Sequence, residues 1–135
     1  MSAPVVAAAP VPSRWTLLAA VLGAPVAWAA HLLVTYAVVA YACTSDRFAG
    51  ARAGLLIVSA LFAALALGAG AVARRCWRGA RAGDAPLHDR LDARTAHVAM
   101  LAVVGMAGAL LFGLGIVYEA ATIWFAPLCE PGGTG

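Results

Sequence analysis

No lysine occurs in the 135 residues, and charged side chains of any kind make up only 11% of them. That scarcity, beside a hydrophobic content of 64%, excludes a soluble domain. One domain of this size cannot bury so much apolar surface, and the excess requires lipid. The chain also lacks GxSxG, HExxH, a P-loop and a dinucleotide-binding glycine pattern. Nothing marks a soluble catalytic domain, so the expectation is no enzyme in its own right, at most one part of a membrane oxidoreductase complex. No CxxC pair is present and no His or Met stands close to a cysteine, which leaves a metal or redox dithiol without support.

The basic residues present are nine arginines against six acids. They sit beside apolar runs, the pattern of membrane orientation rather than of nucleic-acid binding. Abundant Ala, Arg and Gly without Lys suggest a GC-rich bacterial genome, and hence the bacterial inner membrane.

Three apolar runs are each long enough for the roughly 20 residues that span a bilayer. They predict an all-α membrane protein with three transmembrane helices in an up-down-up bundle, at about 15–42, 53–75 and 86–125. Residues 1–13, with Pro4, Pro10 and Pro12, read as a disordered tail, residues 14–127 as the membrane domain and 128–135 as a flexible tail. Arg74 to Arg94 reads as an arginine-rich loop. Within it Asp84 suits a cap and Pro86 a first turn, with Leu87, Leu91 and Val98 on one face, so the third helix is expected to start early or to follow a short interfacial helix. Arg14, Arg74, Arg75, Arg78, Arg81, Arg90 and Arg94 fall on one side and Arg47 and Arg52 on the other, which predicts a cytoplasmic N-terminus and a periplasmic C-terminus. Ala27-Trp28-Ala29 has the form of a signal-peptidase site, but the apolar run continues past it and Pro25 interrupts the would-be signal core. A lipobox ending at Cys43 fails on the bulky Tyr41.

On that topology Cys43 and Cys129 both lie outside, each after a helix end, and a structural disulfide between them is expected. Cys76 falls at the cytoplasmic end of helix two and is expected to be a free thiol.

His31 lies near the middle of helix one. Ala19, Gly23, Ala27, His31 and Thr35 recur every fourth residue, and small residues mark close helix approach, so His31 is expected to point into protein. It reads either as a neutral imidazole bridging helices or as a haem b ligand or proton relay. The bridging reading is preferred because no second axial ligand is evident: His97 lies on the order of 20 Å away at 1.5 Å per residue. Glu119 is the one acid inside an apolar run, sharing a face with Gly108, Gly115 and Thr122. A hydrogen bond to Tyr36, Tyr41 or His31 is expected, either locking the bundle or completing a proton or ion path with His31.

Small-residue stripes for helix packing are expected at Gly105, Ala109 and Gly113 on helix three and at Ala60, Ala64 and Gly68 on helix two, with Gly23 and Ala27 on helix one. Gly108 and Gly115 offer a face to a partner helix. Trp15, Trp77 and Trp124 sit at span ends, whereas Trp28 does not and is expected in a partner- or lipid-facing groove. Pro25 frees the Val21 carbonyl and is expected to kink helix one.

Gly23-Ala-Pro-Val-Ala-Trp-Ala-Ala-His-Leu-Leu-Val-Thr-Tyr36, followed by Cys43 and by Pro127-Leu128-Cys129, resembles small uncharacterised bacterial three-helix membrane proteins often encoded near haem–copper oxidase genes. The likeness covers mainly helix one and the last few residues. It implies a neighbourhood, respiratory oxidase assembly or an accessory subunit, and no activity. The expected function is therefore a non-catalytic accessory or assembly subunit, with lipid and other membrane subunits as partners, no nucleic acid, and no metal or cofactor. A haem-binding or redox protein using His31 and a small transporter-like oligomer using His31 and Glu119 are the alternatives.

Overall fold

The computed structural model describes residues 12–45, 50–82 and 93–125. These form three helices: α1 (Arg14–Ser45), α2 (Ala51–Ala82) and α3 (Ala93–Phe125). Each packs against both of the others. All three are long and apolar enough to cross a membrane. At 1.5 Å per residue, 32 residues extend about 48 Å, well beyond a hydrocarbon layer of about 30 Å.

Local chemistry sets the helix starts. Ser13 caps α1, its Oγ accepting the Thr16 N–H at 3.2 Å and its carbonyl accepting the Leu17 N–H at 3.1 Å. Gly50 leads into α2 with φ +88°, a left-handed conformation that glycine adopts without a Cβ penalty, and its carbonyl accepts the Gly54 N–H at 2.9 Å. α1 stays continuous through Pro25.

α2 does not stop near residue 75. It carries Arg74, Arg75, Arg78 and Arg81 as helix, correcting the reading of this stretch as loop. Arginine and alanine are strong helix formers and make up six of the nine residues from Arg74 to Ala82, and the Arg81 guanidinium adds a turn-spanning contact 4.5 Å over the Trp77 ring. The described part of α3 begins at Ala93; the expected cap at Asp84 and first turn at Pro86 lie outside the described residues, as do the tails at 1–11 and 126–135.

The interior seam alternates steps of four and three. On α2 it runs Leu55, Ser59, Phe62, Ala66, Ala69, Ala73 and Cys76; on α3 it runs Val98, Ala102, Gly105, Ala109, Phe112, Ile116, Glu119 and Ile123. Ala20, Ala24, Ala27 and His31 continue it on α1. A mean spacing of 3.5 is the seam of left-handed helix packing. Ala60, Ala64 and Gly68 are not on it: all three are exposed, which corrects their assignment to the bundle's interior. A strict four-residue repeat turns by about 40° per step, so small-residue spacing on an Ala-rich helix does not by itself select the buried face.

Small residues bring the backbones together at one end. A Cβ on Gly23 would lie 2.8 Å from Ala69 Cβ, and one on Gly70 would lie 2.8 Å from Ala109 Cβ. Gly105 packs against the Ala20 carbonyl and Ala73 Cβ, where all three helices meet. Toward the other end the bundle admits larger groups, among them Trp28, His31, Leu55, Phe62, Phe112 and Ile116. The outer surface is the reverse of a soluble protein's, with Leu22, Val26, Leu33, Leu61, Leu65, Leu110, Leu111 and Leu114 all exposed for lipid.

Candidate functional site

The polar groups of the wider half converge on one imidazole. His31 is fully buried, 0% exposed, and both its ring nitrogens are engaged. Nδ1 lies 3.0 Å from Glu119 Oε2 on α3, and Nε2 lies 2.9 Å from Ser59 Oγ on α2. Thr35 Oγ1, one turn along α1, is 3.3 Å from the same Nε2. The second carboxyl oxygen of Glu119 accepts the Trp28 indole N–H at 3.3 Å. Phe62 closes the ring's apolar side edge-on, with centroids 5.8 Å apart. One histidine thus ties all three helices. Among the described residues, no buried side-chain polar atom lacks a partner.

The Leu55 carbonyl, one turn back along α2, lies 2.9 Å from Ser59 Oγ. A hydroxyl has one hydrogen to give, so in one tautomer Ser59 donates to Leu55 and its oxygen accepts from Nε2–H, and in the other Ser59 or Thr35 donates to Nε2 while Nδ1–H donates to Glu119. The indole donates to Oε1 in either case.

Ser59, His31 and Glu119 have the connectivity of a Ser–His–acid triad. They do not have its access. Ser59 is 2% exposed, and the Leu55 carbonyl competes with His31 for its hydroxyl proton. Of the three, Glu119 alone is partly exposed, with 28% of its side chain accessible. The chain of hydrogen bonds therefore opens at Glu119 and closes at the Leu55 carbonyl.

Several sequence expectations are revised by this geometry. Glu119 meets His31, whereas Tyr36, 79% exposed, and Tyr41 face outward and do not join it. Trp28, partly buried, packs against α3 on Phe112, centroids 5.4 Å apart, and lies 3.3 Å from where a Cβ on Gly115 would sit, so its indole meets the bundle's own helix. Gly115 is accordingly covered from within rather than open to a partner helix. Gly23, Ala27, Gly105 and Ala109 do line helix contacts; Gly113 is buried, yet a Cβ there would meet nothing within 4 Å.

Ser59 and the indole of Trp28 are the members that sequence reading left out. Both left a signal: Ser59 is the one hydroxyl between Ala53 and Ala73, and Trp28 is a mid-span indole whose N–H needs an acceptor. His97 is exposed and remote from the network. Among the described residues no three His, Cys, Asp or Glu side chains gather as a metal site. Cys76 is a buried free thiol, as expected. Cys43 lies in the last turn of α1, while Cys129, and with it the bond expected between the two, lies outside the described residues. No protein-family model, curated protein or solved structure matches the chain.

Proposed function

We propose that this protein is a non-catalytic accessory or assembly subunit of a larger membrane complex, with a respiratory oxidase as the complex its resemblance indicates. The observation that carries the reading is the outward placement of Ala60, Ala64 and Gly68 on α2. The bundle's own seam uses a different face of that helix, so a stripe of small residues stays open to lipid, where a further membrane helix can approach closely. The polar groups support the same reading. They are spent on one another at the centre of the bundle, which favours a rigid spacer over a reaction site. The arginine distribution supports a cytoplasmic N-terminus in a bacterial inner membrane, and a Cys43–Cys129 bond would tie the periplasmic ends of α1 and α3.

Solubilisation in mild detergent tests this. A foreign membrane subunit should copurify with the wild type and be lost from Gly68→Leu, whose bulk fills the open stripe. Recovery of a homo-oligomer alone counts against the proposal.

One observation favours a second reading, a proton- or ion-handling oligomer: the hydrogen-bonded chain reaches from the partly exposed Glu119 to a buried imidazole. Its closed end at Leu55 weighs against conduction, since a path needs two openings. Haem ligation at His31 would require breaking the contact to Glu119 or to Ser59. A Soret band lost in His31→Ala would establish it in place of the accessory reading.

A further inference from the structure

The charges of α2 are confined to its ends. Ala53–Ala73 carries none, and at 1.5 Å per residue this stretch covers about 31 Å, the thickness of the hydrocarbon layer. The helix then continues to Ala82, so Arg74, Arg75, Arg78 and Arg81 stand on a rigid helix at the depth of the lipid headgroups. At 100° per residue these four fall within an arc of about 120°. All four are exposed, and the buried Cys76 marks the opposite face.

α1 adds a fifth cation. Gly105 touches both Ala20 and Ala73, which places those two residues at one level of the bundle. Arg14 precedes Ala20 by six residues, about 9 Å, and so stands level with the turn from Trp77 to Arg81. Both ends carry an indole under a guanidinium: Arg81 is 4.5 Å over Trp77 and Arg14 is 5.6 Å over Trp15. Among the described residues no ion pair involves these five arginines.

We propose that this arginine face is a binding site for anionic phospholipid. Guanidinium groups on adjacent turns, Arg74 with Arg78 and Arg75 with Arg78, offer paired N–H donors to the phosphate diester, and the indoles seat against the glycerol region. The acyl chains of the same lipid then lie along the apolar flank below Arg74. The site rests on membrane insertion of the bundle and not on the accessory reading, so the two stand or fall separately. It makes the protein's lipid shell selective at the end of the bundle that carries these arginines.

Native mass spectrometry of the detergent-solubilised protein tests the site, with phosphatidylglycerol and phosphatidylcholine of identical acyl chains added in equal amounts. The wild type is expected to retain phosphatidylglycerol about tenfold over phosphatidylcholine. R74Q/R78Q is expected to lower that preference by on the order of tenfold, given the attraction of each arginine at an anionic surface, while R74K/R78K keeps most of it. Glycerol 3-phosphate at the same concentration should not displace the lipid. Equal retention of both lipids by the wild type overturns the proposal without reference to any variant. So does an unchanged preference in R74Q/R78Q, and displacement by glycerol 3-phosphate would overturn lipid as the ligand.

Discussion

His31 Nδ1 and Glu119 Oε2 stand 3.0 Å apart, joining the middle of α1 to the C-terminal part of α3. The carboxyl group serves two donors or acceptors at once, His31 through Oε2 and Trp28 through Oε1. Glu119→Ala strips both. It should destabilise the bundle by about 1–3 kcal/mol, the usual cost of leaving buried polar groups unpaired. Glu119→Gln should cost under about 1 kcal/mol, because its amide donates to Nδ1 and its carbonyl accepts from Trp28. Reversible unfolding in mixed micelles checks the pair, and equal losses would remove the hydrogen-bonding account.

Ser59→Ala removes the hydroxyl that meets Nε2 and should cost about 0.6 kcal/mol, with an upper limit near 1.7, as interhelical hydrogen bonds in membranes do. Ser59 and Glu119 act on opposite nitrogens of one ring. Their double-mutant cycle should therefore show a coupling energy of at least about 0.5 kcal/mol. Strict additivity would mean that the ring does not link them.

Two glycines separate the inner from the outer faces. Gly105→Leu forces a side chain against the Ala20 carbonyl and Ala73, and should destabilise by several kcal/mol or abolish the fold. A Cβ at Gly68 meets nothing within 4 Å, so Gly68→Leu should leave the isolated bundle within about 0.5 kcal/mol of wild type. The same unfolding assay reads both. A large loss in Gly68→Leu would mean that the α2 stripe is internal after all.

Thiol counting tests the cysteine assignment. Denatured without reductant, the chain should expose one alkylatable thiol, Cys76, and after reduction three. In the folded state Cys76 should resist the reagent because it is buried. Three reactive thiols without reductant would exclude the proposed Cys43–Cys129 bond.

The number of helices and their membrane character were legible because run length and the absence of charge are one-dimensional properties. Helix faces were less so. The four-residue repeat through Gly23, Ala27 and His31 stays near the seam over two steps, but the repeat through Ala60, Ala64 and Gly68 never lies on it, and spacing alone does not distinguish them. Burial on α2 follows Leu55, Ser59 and Phe62 instead, and the large residues at two of those positions hide the stripe from a search for small ones. The end of α2 was misjudged for a different reason. Arginine signals the limit of the hydrocarbon layer, not the limit of the helix, and the two differ by about two turns.

Half of the polar site could be read as well. His31 and Glu119 stand out as polar residues well inside apolar runs at similar depth, which left His31 as one of three candidate partners for Glu119 beside Tyr36 and Tyr41. Ser59 was concealed by ordinary behaviour, since a serine in an apolar helix commonly bonds back to the carbonyl four residues earlier, and it does so here as well as meeting His31. Tyr36 misled through position: it lies five residues beyond His31, which turns it about 140° away at 100° per residue.

The measurement closest to the central claim is photo-crosslinking in native membranes, with the reactive side chain placed at position 64, on the exposed stripe, or at position 66, in the seam. The accessory reading predicts an adduct with a different membrane subunit from position 64 and only intramolecular products from position 66. Adducts from position 64 that contain lipid or a second copy of this chain, and no foreign subunit, would contradict it.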